Sequence, residues 1–231
     1  MLGHPGVSES FDIVIVGAGI VGAACAAECA QAGLKVLVLD RGPVAGGTTA
    51  AGMGHIVVMD DSQAQFALTS YSRRLWQDLR EQLPADVEYD PCGSLWVAID
   101  EEEMTEVRRK QKYYGDRGIR VEVLDSAEVA RAEPNLRPGL AGGLRVPDDA
   151  VVYQPCAARF FLETARQRGA KLVTGVAVTE QFAPGTCQET GHVKTRLPCG
   201  VWLVHFPLPF NNLAAGVRFC TPATIATLET F

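Results

Sequence analysis

Residues 11–41, FDIVIVGAGIVGAACAAECAQAGLKVLVLDR, contain the stretch that decides the fold. The apolar run Ile13–Val16 predicts a strand that is buried on both faces. Three glycines in the spacing GxGxxG follow it, at Gly17, Gly19 and Gly22. The first allows a tight turn, the second lets the backbone approach a pyrophosphate, and the third lets the next helix lie close to the sheet.

An alanine-rich helix and a second strand complete this unit. The helix is expected to stop at Gly33, and the strand Lys35–Leu39 ends in Asp40, eighteen residues after Gly22. A carboxylate at this strand tip accepts hydrogen bonds from ribose hydroxyls, while the pyrophosphate rests on the helix N-terminus. The order of these elements predicts a dinucleotide-binding βαβ unit. The alternative is a βαβ unit whose glycines serve packing only.

The segment after Asp40 bears on which dinucleotide is bound. A nicotinamide-binding domain usually passes promptly into its next helix, whereas residues 45–55 read AGGTTAAGMGH, with four glycines and few helix signals. Small residues let the backbone approach a large flat ligand, and Thr48 and Thr49 offer hydroxyls and amides to phosphates. The segment therefore favours FAD as the cofactor, and an NAD-dependent dehydrogenase is the alternative.

The overall composition excludes several other classes of protein. The chain has 231 residues, of which 47% are hydrophobic and 21% charged, with a formal net charge of −6. This charge argues against a nucleic-acid partner, which normally requires a basic surface. The first long apolar run is too short to span a bilayer, and seven cysteines without a CxxC pair indicate reduced thiols. We therefore expect a cytoplasmic protein without a transmembrane segment.

Six stretches of the chain, these motifs among them, resemble the D-amino-acid oxidase and glycine oxidase family of FAD-dependent oxidoreductases. The resemblance covers about residues 11–182, and the first block is shared by many flavoproteins, whereas the later blocks in this order are specific. The matching stretches are DIVIVGAGIVGAACA at 12–26, LDR at 39–41, GGTTAAGM at 46–53, GSLWVAIDEEEM at 93–104, AEPNLRPGLAGGLRVPDDAVVYQP at 132–155 and GAKLVTGVAVTE at 169–180.

The resemblance implies an α/β fold. The expected architecture is a FAD-binding Rossmann-like domain of the glutathione-reductase type with an inserted, strand-rich α+β substrate domain, the second half of the family fold being missing. The expected segments are residues 1–60 and 151–182 for the FAD-binding domain, 61–150 for the substrate-side domain, and 183–231 for an aberrant or divergent tail.

The resemblance also implies a set of binding residues. Met53 matches a residue near the reactive edge of the flavin and is the substrate-side candidate, while Val178 matches a position whose backbone contacts the adenine end. No catalytic residue and no metal ligand are carried over. The cofactor-binding candidates are Gly17, Gly19, Ile20, Val21, Gly22, Asp40, Arg41, Thr48, Thr49, Ala51, Gly52, Met53 and Val178.

The reaction implied by the family is the oxidation of the Cα–N bond of a small D-amino acid, of which a proline- or hydroxyproline-like acid is one example. Hydride passes from the substrate to the flavin, and the electron acceptor that reoxidises the flavin is not identified. The arginine that usually clamps the substrate carboxylate has no counterpart that can be assigned here. We therefore expect this chain to be an incomplete, inactive version of the enzyme, and a non-catalytic fragment is the further alternative.

The tail differs in composition from the rest of the chain. Residues 183–231 hold only five charged side chains and show no clear helical or strand periodicity. This change in composition predicts that the family sequence stops near residue 182, as after a reading-frame shift, with a genuine divergent ending as the alternative. Cys187, His192, Cys199 and His205 match no standard zinc spacing.

Overall fold

The computed structural model describes residues 11–178, 202–205, 218–221 and 224–227 of the chain. The chain divides into two compact units, the first formed from residues 1–52 and 154–231 and the second from residues 53–153. The boundaries therefore fall after Gly52 and before Gln154. The functions expected of the individual segments stay predictions.

Strands and helices alternate along residues 13–146 of the chain. The strands are β1 (Ile13–Val16), β2 (Val36–Asp40), β3 (His55–Ile56), β4 (Ser94–Ala98), β5 (Glu122–Asp125), β6 (Gly142–Val146), β7 (Ala150–Val151), β8 (Lys171–Thr174), β9 (Trp202–His205), β10 (Arg218–Thr221) and β11 (Thr224–Thr227). The helices are α1 (Ile20–Gln31), α2 (Thr48–Ala51), α3 (Gln63–Leu79), α4 (Glu101–Gly115), α5 (Ser126–Ala132) and α6 (Gln154–Gln167).

The first unit is built on a four-stranded parallel sheet in the order β8-β2-β1-β9. Its central strands are buried on both faces, which explains the continuous apolar runs that the sequence shows there. The helix α1 lies against α6. Its buried residues are glycine and alanine, and such small side chains let two helices approach closely.

The second unit carries a three-stranded antiparallel sheet in the order β4-β6-β5 and a short antiparallel pair formed by β3 and β7. Helices α4 and α5 pack against β6. Val107, Val129 and Leu144 are among the most deeply buried side chains of this unit. The α+β composition expected for the inserted domain is confirmed.

Most predicted element boundaries shift by a few residues, for identifiable reasons. The apolar spacing predicts helix α3 over 62–83, but the helix ends at Leu79 and continues as a 3₁₀ turn, Arg80–Gln82, just before Pro84. The sequence predicts that strand β8 reaches Val178, but it ends at Thr174, because Gly175 adopts a positive φ of 77°.

The structure differs from the sequence patterns at three places. Residues 46–53 show few helix signals, yet α2 forms one helical turn there. Ser126 is the predicted cap of α5, but Asp125 caps this helix through a reciprocal capping box with Glu128. Strands β9, β10 and β11 occur in the tail that shows no clear periodicity, since a four-residue strand is too short for periodicity to reveal.

Candidate functional site

The glycine turn between β1 and α1 has the geometry that its sequence predicts. Gly17 adopts a φ of +113°, which side-chain-bearing residues rarely reach. A Cβ built on Gly22 would lie 2.0 Å from the Gly17 carbonyl oxygen and 3.3 Å from the Ile15 side chain. Only glycine therefore allows α1 to start this close to the end of β1. The predicted βαβ unit from Asp12 to Asp40 is confirmed by the parallel pairing of β1 with β2.

The Asp40 carboxylate, at the end of β2, holds this turn in place. Its Oδ2 accepts a hydrogen bond from the backbone N–H of Ala18 at 2.6 Å, and its Oδ1 accepts one from the N–H of Gly42 at 2.8 Å. Each carboxylate oxygen has a second lone pair. Asp40 therefore braces the backbone and still has acceptor capacity for further donors.

Ala45 forms a second tie to the same turn, which sequence reasoning missed. Its N–H donates to the Ala18 carbonyl at 3.0 Å. Ala45 itself adopts a φ of 57° and is 2% exposed, so a strained backbone conformation is held inside the protein. Nothing in the sequence marks this position, because alanine rarely adopts the left-handed conformation.

Thr49 connects the Gly/Thr-rich segment at residues 46–53 to the glycine turn at residues 17–22. Its Oγ1 accepts a hydrogen bond from the Ile20 N–H at 3.0 Å, and a Cβ built on Gly19 would lie 2.9 Å from the same oxygen. Thr48 begins α2 and Ala51 ends it, and both are exposed. The structure thus brings the Gly/Thr-rich segment against the glycine turn.

The end of α2 lies close to the start of α6. A Cβ built on Gly52 would lie 2.9 Å from Nε2 of Gln154. Sequence reasoning did not select Gln154. The available signal was Pro155, a residue favoured in the first turn of a helix, which places its neighbour at the helix start.

The remaining predicted residues lie on the surface. Val176 donates its N–H to the Asp40 carbonyl at 3.1 Å, so the chain after β8 runs past the end of β2 toward Val178. Met53 is 79% exposed and is the first residue of the second unit, where its role beside a substrate stays a prediction. The other exposed candidates are Val21, Arg41 and Val178.

Two thiols on α1 do not form a nucleophilic site. Burial raises the pKa of Cys25, and the neighbouring Cys29 and Glu28 raise it further. Burial and Glu28 likewise raise the pKa of Cys29. Because the thiolate is the reactive form, both cysteines are weak nucleophiles at neutral pH.

The second unit contains a buried ion pair between Arg73 and Asp149. The Nη1 and Oδ1 atoms are 2.9 Å apart, and the two side chains are 8% and 2% exposed. The Ser94 hydroxyl donates to Oδ2 of Asp149 at 2.6 Å, and the Val58 N–H donates to Oδ1 at 3.4 Å. Burial raises the pKa of Asp149, and the bonds from Ser94 and Arg73 offset part of this rise. The pair joins α3, β4 and the segments that follow β3 and β6.

A second polar cluster surrounds Asp60. Its carboxylate accepts hydrogen bonds from Lys110, from Arg109 and, at 3.1 Å, from the Tyr114 hydroxyl. Burial alone raises the pKa of Asp60, but the bonds from Lys110 and Arg109 outweigh it and hold the pKa below its ordinary value. Burial and the Asp60 charge raise the pKa of Tyr114, which therefore keeps its proton.

The part of the chain that the structure describes offers neither a metal site nor a membrane span. It holds no group of three or more His, Cys, Asp or Glu that could bind a metal ion. Of the residues considered for zinc, Cys187, His192 and Cys199 lie outside the described residues, and His205 ends β9. None of the described helices is both long enough and apolar enough to cross a membrane.

A family model described as FAD dependent oxidoreductase matches residues 12–205. The match includes both glycine-bearing segments and the strand β9, which pairs in parallel with β1. The prediction that the family sequence stops near residue 182 is therefore wrong.

Curated proteins and solved structures agree with this match. One component of the anaerobic glycerol-3-phosphate dehydrogenase of Escherichia coli strain K12 is 28% identical over 213 residues, which cover 91% of this chain and 38% of the relative. The glycine oxidase of Geobacillus kaustophilus strain HTA426 is 29% identical over 178 residues, which cover 72% of this chain and 46% of the relative.

A crystal structure of the glycine oxidase from Geobacillus kaustophilus superposes with a TM-score of 0.68 at 28% identity, covering 73% of this chain and 48% of that one. The chain therefore spans less than half the length of these relatives. The expected FAD-binding α/β fold is confirmed by the family match and by this superposition.

Proposed function

Because the chain belongs to the family of FAD-dependent oxidoreductases, we propose that its first unit binds the adenosine diphosphate part of FAD. The observation that carries the proposal is the glycine turn at residues 17–22. Three residues that follow it in the chain, Asp40, Ala45 and Thr49, each form a hydrogen bond with its backbone. The family membership also favours FAD over the nicotinamide cofactor that the βαβ unit alone leaves open.

The residues of this turn fit a pyrophosphate. Gly19 presents no side chain toward the ligand, and the first turn of α1 contains no acidic residue. The N-terminus of a helix carries a partial positive charge and unpaired N–H groups, both of which favour a phosphate. Gly22 keeps this helix end close to β1, where a dinucleotide crosses the sheet.

Each candidate side chain has a distinct task in this proposal. Asp40 orients the ribose through its remaining lone pairs, because its other two are engaged by backbone amides. Arg41 and Thr48 supply positive charge and a hydroxyl donor on the exposed side of the turn. The backbone at Val178 lies along the adenine. FAD, when bound, supplies a two-electron acceptor for hydride.

We further propose that the second unit is the substrate side and that the substrate is a small D-amino acid of the proline or hydroxyproline type. One relative carries the name glycine oxidase, which supports an amino acid, whereas another is a glycerol-3-phosphate dehydrogenase by name. Met53, exposed at the start of the second unit, is the residue of this chain proposed to border the substrate.

Titration of the purified 231-residue chain with FAD, ADP and NAD tests the cofactor proposal. We expect FAD to bind, with quenching of its fluorescence, and ADP to compete with it, because the described contacts address the adenosine diphosphate part. NAD is expected to bind more weakly than FAD. Tighter binding of NAD, or the absence of competition by ADP, would overturn the proposal.

Bleaching of the bound flavin under anaerobic conditions tests the substrate class. D-proline, D-alanine, glycine and glycerol 3-phosphate are added separately to the FAD-loaded chain. If the chain reacts, we expect an amino acid to reduce and so bleach the flavin. The sequence predicts that the chain is inactive and that no bleaching occurs. Bleaching by glycerol 3-phosphate alone would overturn the amino-acid proposal, and catalytic turnover of an amino acid would overturn the expectation of inactivity.

A further inference from the structure

We propose that Thr49 is a positioning residue whose hydroxyl caps α1 from outside that helix and holds the cofactor-binding turn in shape before the cofactor arrives. The inference rests on the proposed function, since it assigns a task to one residue of the same site. It differs from a role as a phosphate contact because it concerns the protein without its cofactor.

Helix α1 has no local side-chain cap at its N-terminus. The Ile20 N–H belongs to the first turn of the helix and has no acceptor within it. In most helices the side-chain oxygen of a Ser, Thr, Asp or Asn at the N-cap accepts a hydrogen bond from a backbone N–H of the first turn. Here the N-cap is Gly19, which makes no side-chain capping bond, and the acceptor comes instead from Thr49, at 3.0 Å from the Ile20 nitrogen.

Gly19 and the distant cap from Thr49 depend on each other. A Cβ on residue 19 would lie 2.9 Å from Thr49 Oγ1, closer than real Cβ atoms approach. A local capping side chain at position 19 would therefore displace the distant cap. Glycine at this position keeps the turn open for a ligand and also leaves room for the Thr49 hydroxyl.

Thr49 lies in α2, a short helix that depends on its neighbours for stability. The helix α2 has only four residues, too few to be stable by itself. It lies against α6. A Cβ built on Gly52, the residue after α2, would lie 2.9 Å from Nε2 of Gln154. The Thr49–Ile20 bond ties the other side of this turn to α1. Without it, the bond from Ala45 to Ala18 is the remaining hydrogen bond between this segment and the glycine turn among the described residues.

The group that caps α1 is a neutral hydroxyl. A carboxylate in this place would satisfy the Ile20 amide, but its charge would repel a phosphate. A hydroxyl is neutral and rotates freely, so Thr49 satisfies the amide without opposing an anion at the helix N-terminus. The position therefore calls for a neutral acceptor.

Amide hydrogen exchange in the cofactor-free chain, followed by NMR, tests this directly. In the wild type, we expect the Ile20 amide to exchange about tenfold more slowly than in an unstructured peptide, the effect of one net hydrogen bond. Thr49→Val should abolish this protection, while Thr49→Ser should keep it. The Ala23 amide, which is bonded to the Gly19 carbonyl at 2.9 Å, reports that α1 itself remains folded.

FAD affinity of the same variants provides the second readout. Thr49→Val should weaken binding about tenfold because the turn is no longer pre-organised, and Thr49→Ser should not. Thr105→Val removes an exposed hydroxyl on α4 and should change neither measurement. Ile20 exchange at the free-peptide rate in the wild type, or unchanged protection in a folded Thr49→Val chain, would overturn the inference. If the wild type fails to bind FAD, the proposed function fails, whereas the exchange result still decides the role of Thr49.

Discussion

The two units use polar groups in opposite ways. In the first, the polar contacts around Asp40 and Thr49 reach backbone amides and hold a glycine turn in shape while leaving its surface bare. In the second, Arg73 and Asp149 pair with each other in the core, and Asp60 is surrounded by cations and a tyrosine. Contacts to the backbone fix the shape of the glycine turn, whereas pairs between side chains hold the elements of the second unit together.

The largest expected effect comes from breaking the buried pair of the second unit. Asp149→Ala leaves the Arg73 charge buried without its partner, so we expect the free energy of unfolding to fall by about 3–5 kcal/mol. The double variant Arg73→Met, Asp149→Leu should lose less, since no buried charge remains. Denaturant unfolding followed by the fluorescence of Trp76 and Trp96 measures both. Equal losses in the two variants would contradict a role for charge pairing.

The next largest effect is expected from the glycine turn. Gly22→Ala places a Cβ 2.0 Å from a backbone oxygen, and we expect a loss of about 3 kcal/mol, at the upper end of overpacking effects. Gly115→Ala is the matched control, because no atom lies within 4 Å of its added Cβ, and its effect should stay within about 1 kcal/mol. Thermal unfolding followed by circular dichroism compares them. Similar midpoints would mean that the turn relaxes more easily than its geometry indicates.

A smaller effect is expected on FAD binding when the carboxylate of Asp40, proposed to bind the ribose, is compared with that of Asp12. Asp40→Ala should weaken FAD binding by about 1–3 kcal/mol, through the loss of charge-assisted hydrogen bonds to ribose and of the brace on Ala18. Asp12→Ala is the control, because Asp12 accepts the Lys35 N–H at 2.8 Å at the other end of the same two strands. Titration with FAD compares the affinities. An unchanged affinity in Asp40→Ala would remove Asp40 from the site.

The smallest effect is a pH dependence of the second unit. The pKa of Asp60 is lowered by folding, so its charge stabilises the fold above its unfolded-state pKa of about 3.9, and this contribution disappears as the pH falls through the lower folded value. Asp60→Asn should therefore be less stable than the wild type by about 1 kcal/mol at neutral pH. Urea unfolding at a series of pH values should show the difference closing in acid. A difference that widens on acidification would contradict the assignment.

The sequence predicts those parts of the fold that depend on neighbouring residues. The βαβ unit at residues 12–40 follows from a local pattern and is confirmed. The sequence offers either Asp61 or Ser62 as the cap of α3, and in the structure Ser62 caps this helix. The prediction that α5 is capped by Ser126 is wrong by one residue, because both Asp125 and Ser126 are good caps and only the Glu128 bond decides between them.

The residues of the candidate site are predictable from the sequence, but their mutual contacts are not. The motifs indicate Asp40 and Thr49, yet the acceptor roles of these side chains toward Ala18 and Ile20 arise only when segments far apart in the chain meet. Ala45 carries no motif. The pairing of β9 with β1 is likewise a long-range event that no local pattern contains.

The place of β9 in the sheet has a consequence for the order in which the chain folds. β1 pairs on one side with β2, which soon follows it, and on the other with residues 202–205. As a ribosome synthesises the chain, one edge of β1 therefore stays unpaired until residues 202–205 have been made. An apolar strand with an open edge is a template for pairing with other chains. The strand that leads into the glycine turn therefore carries an open edge until a distant part of the chain covers it.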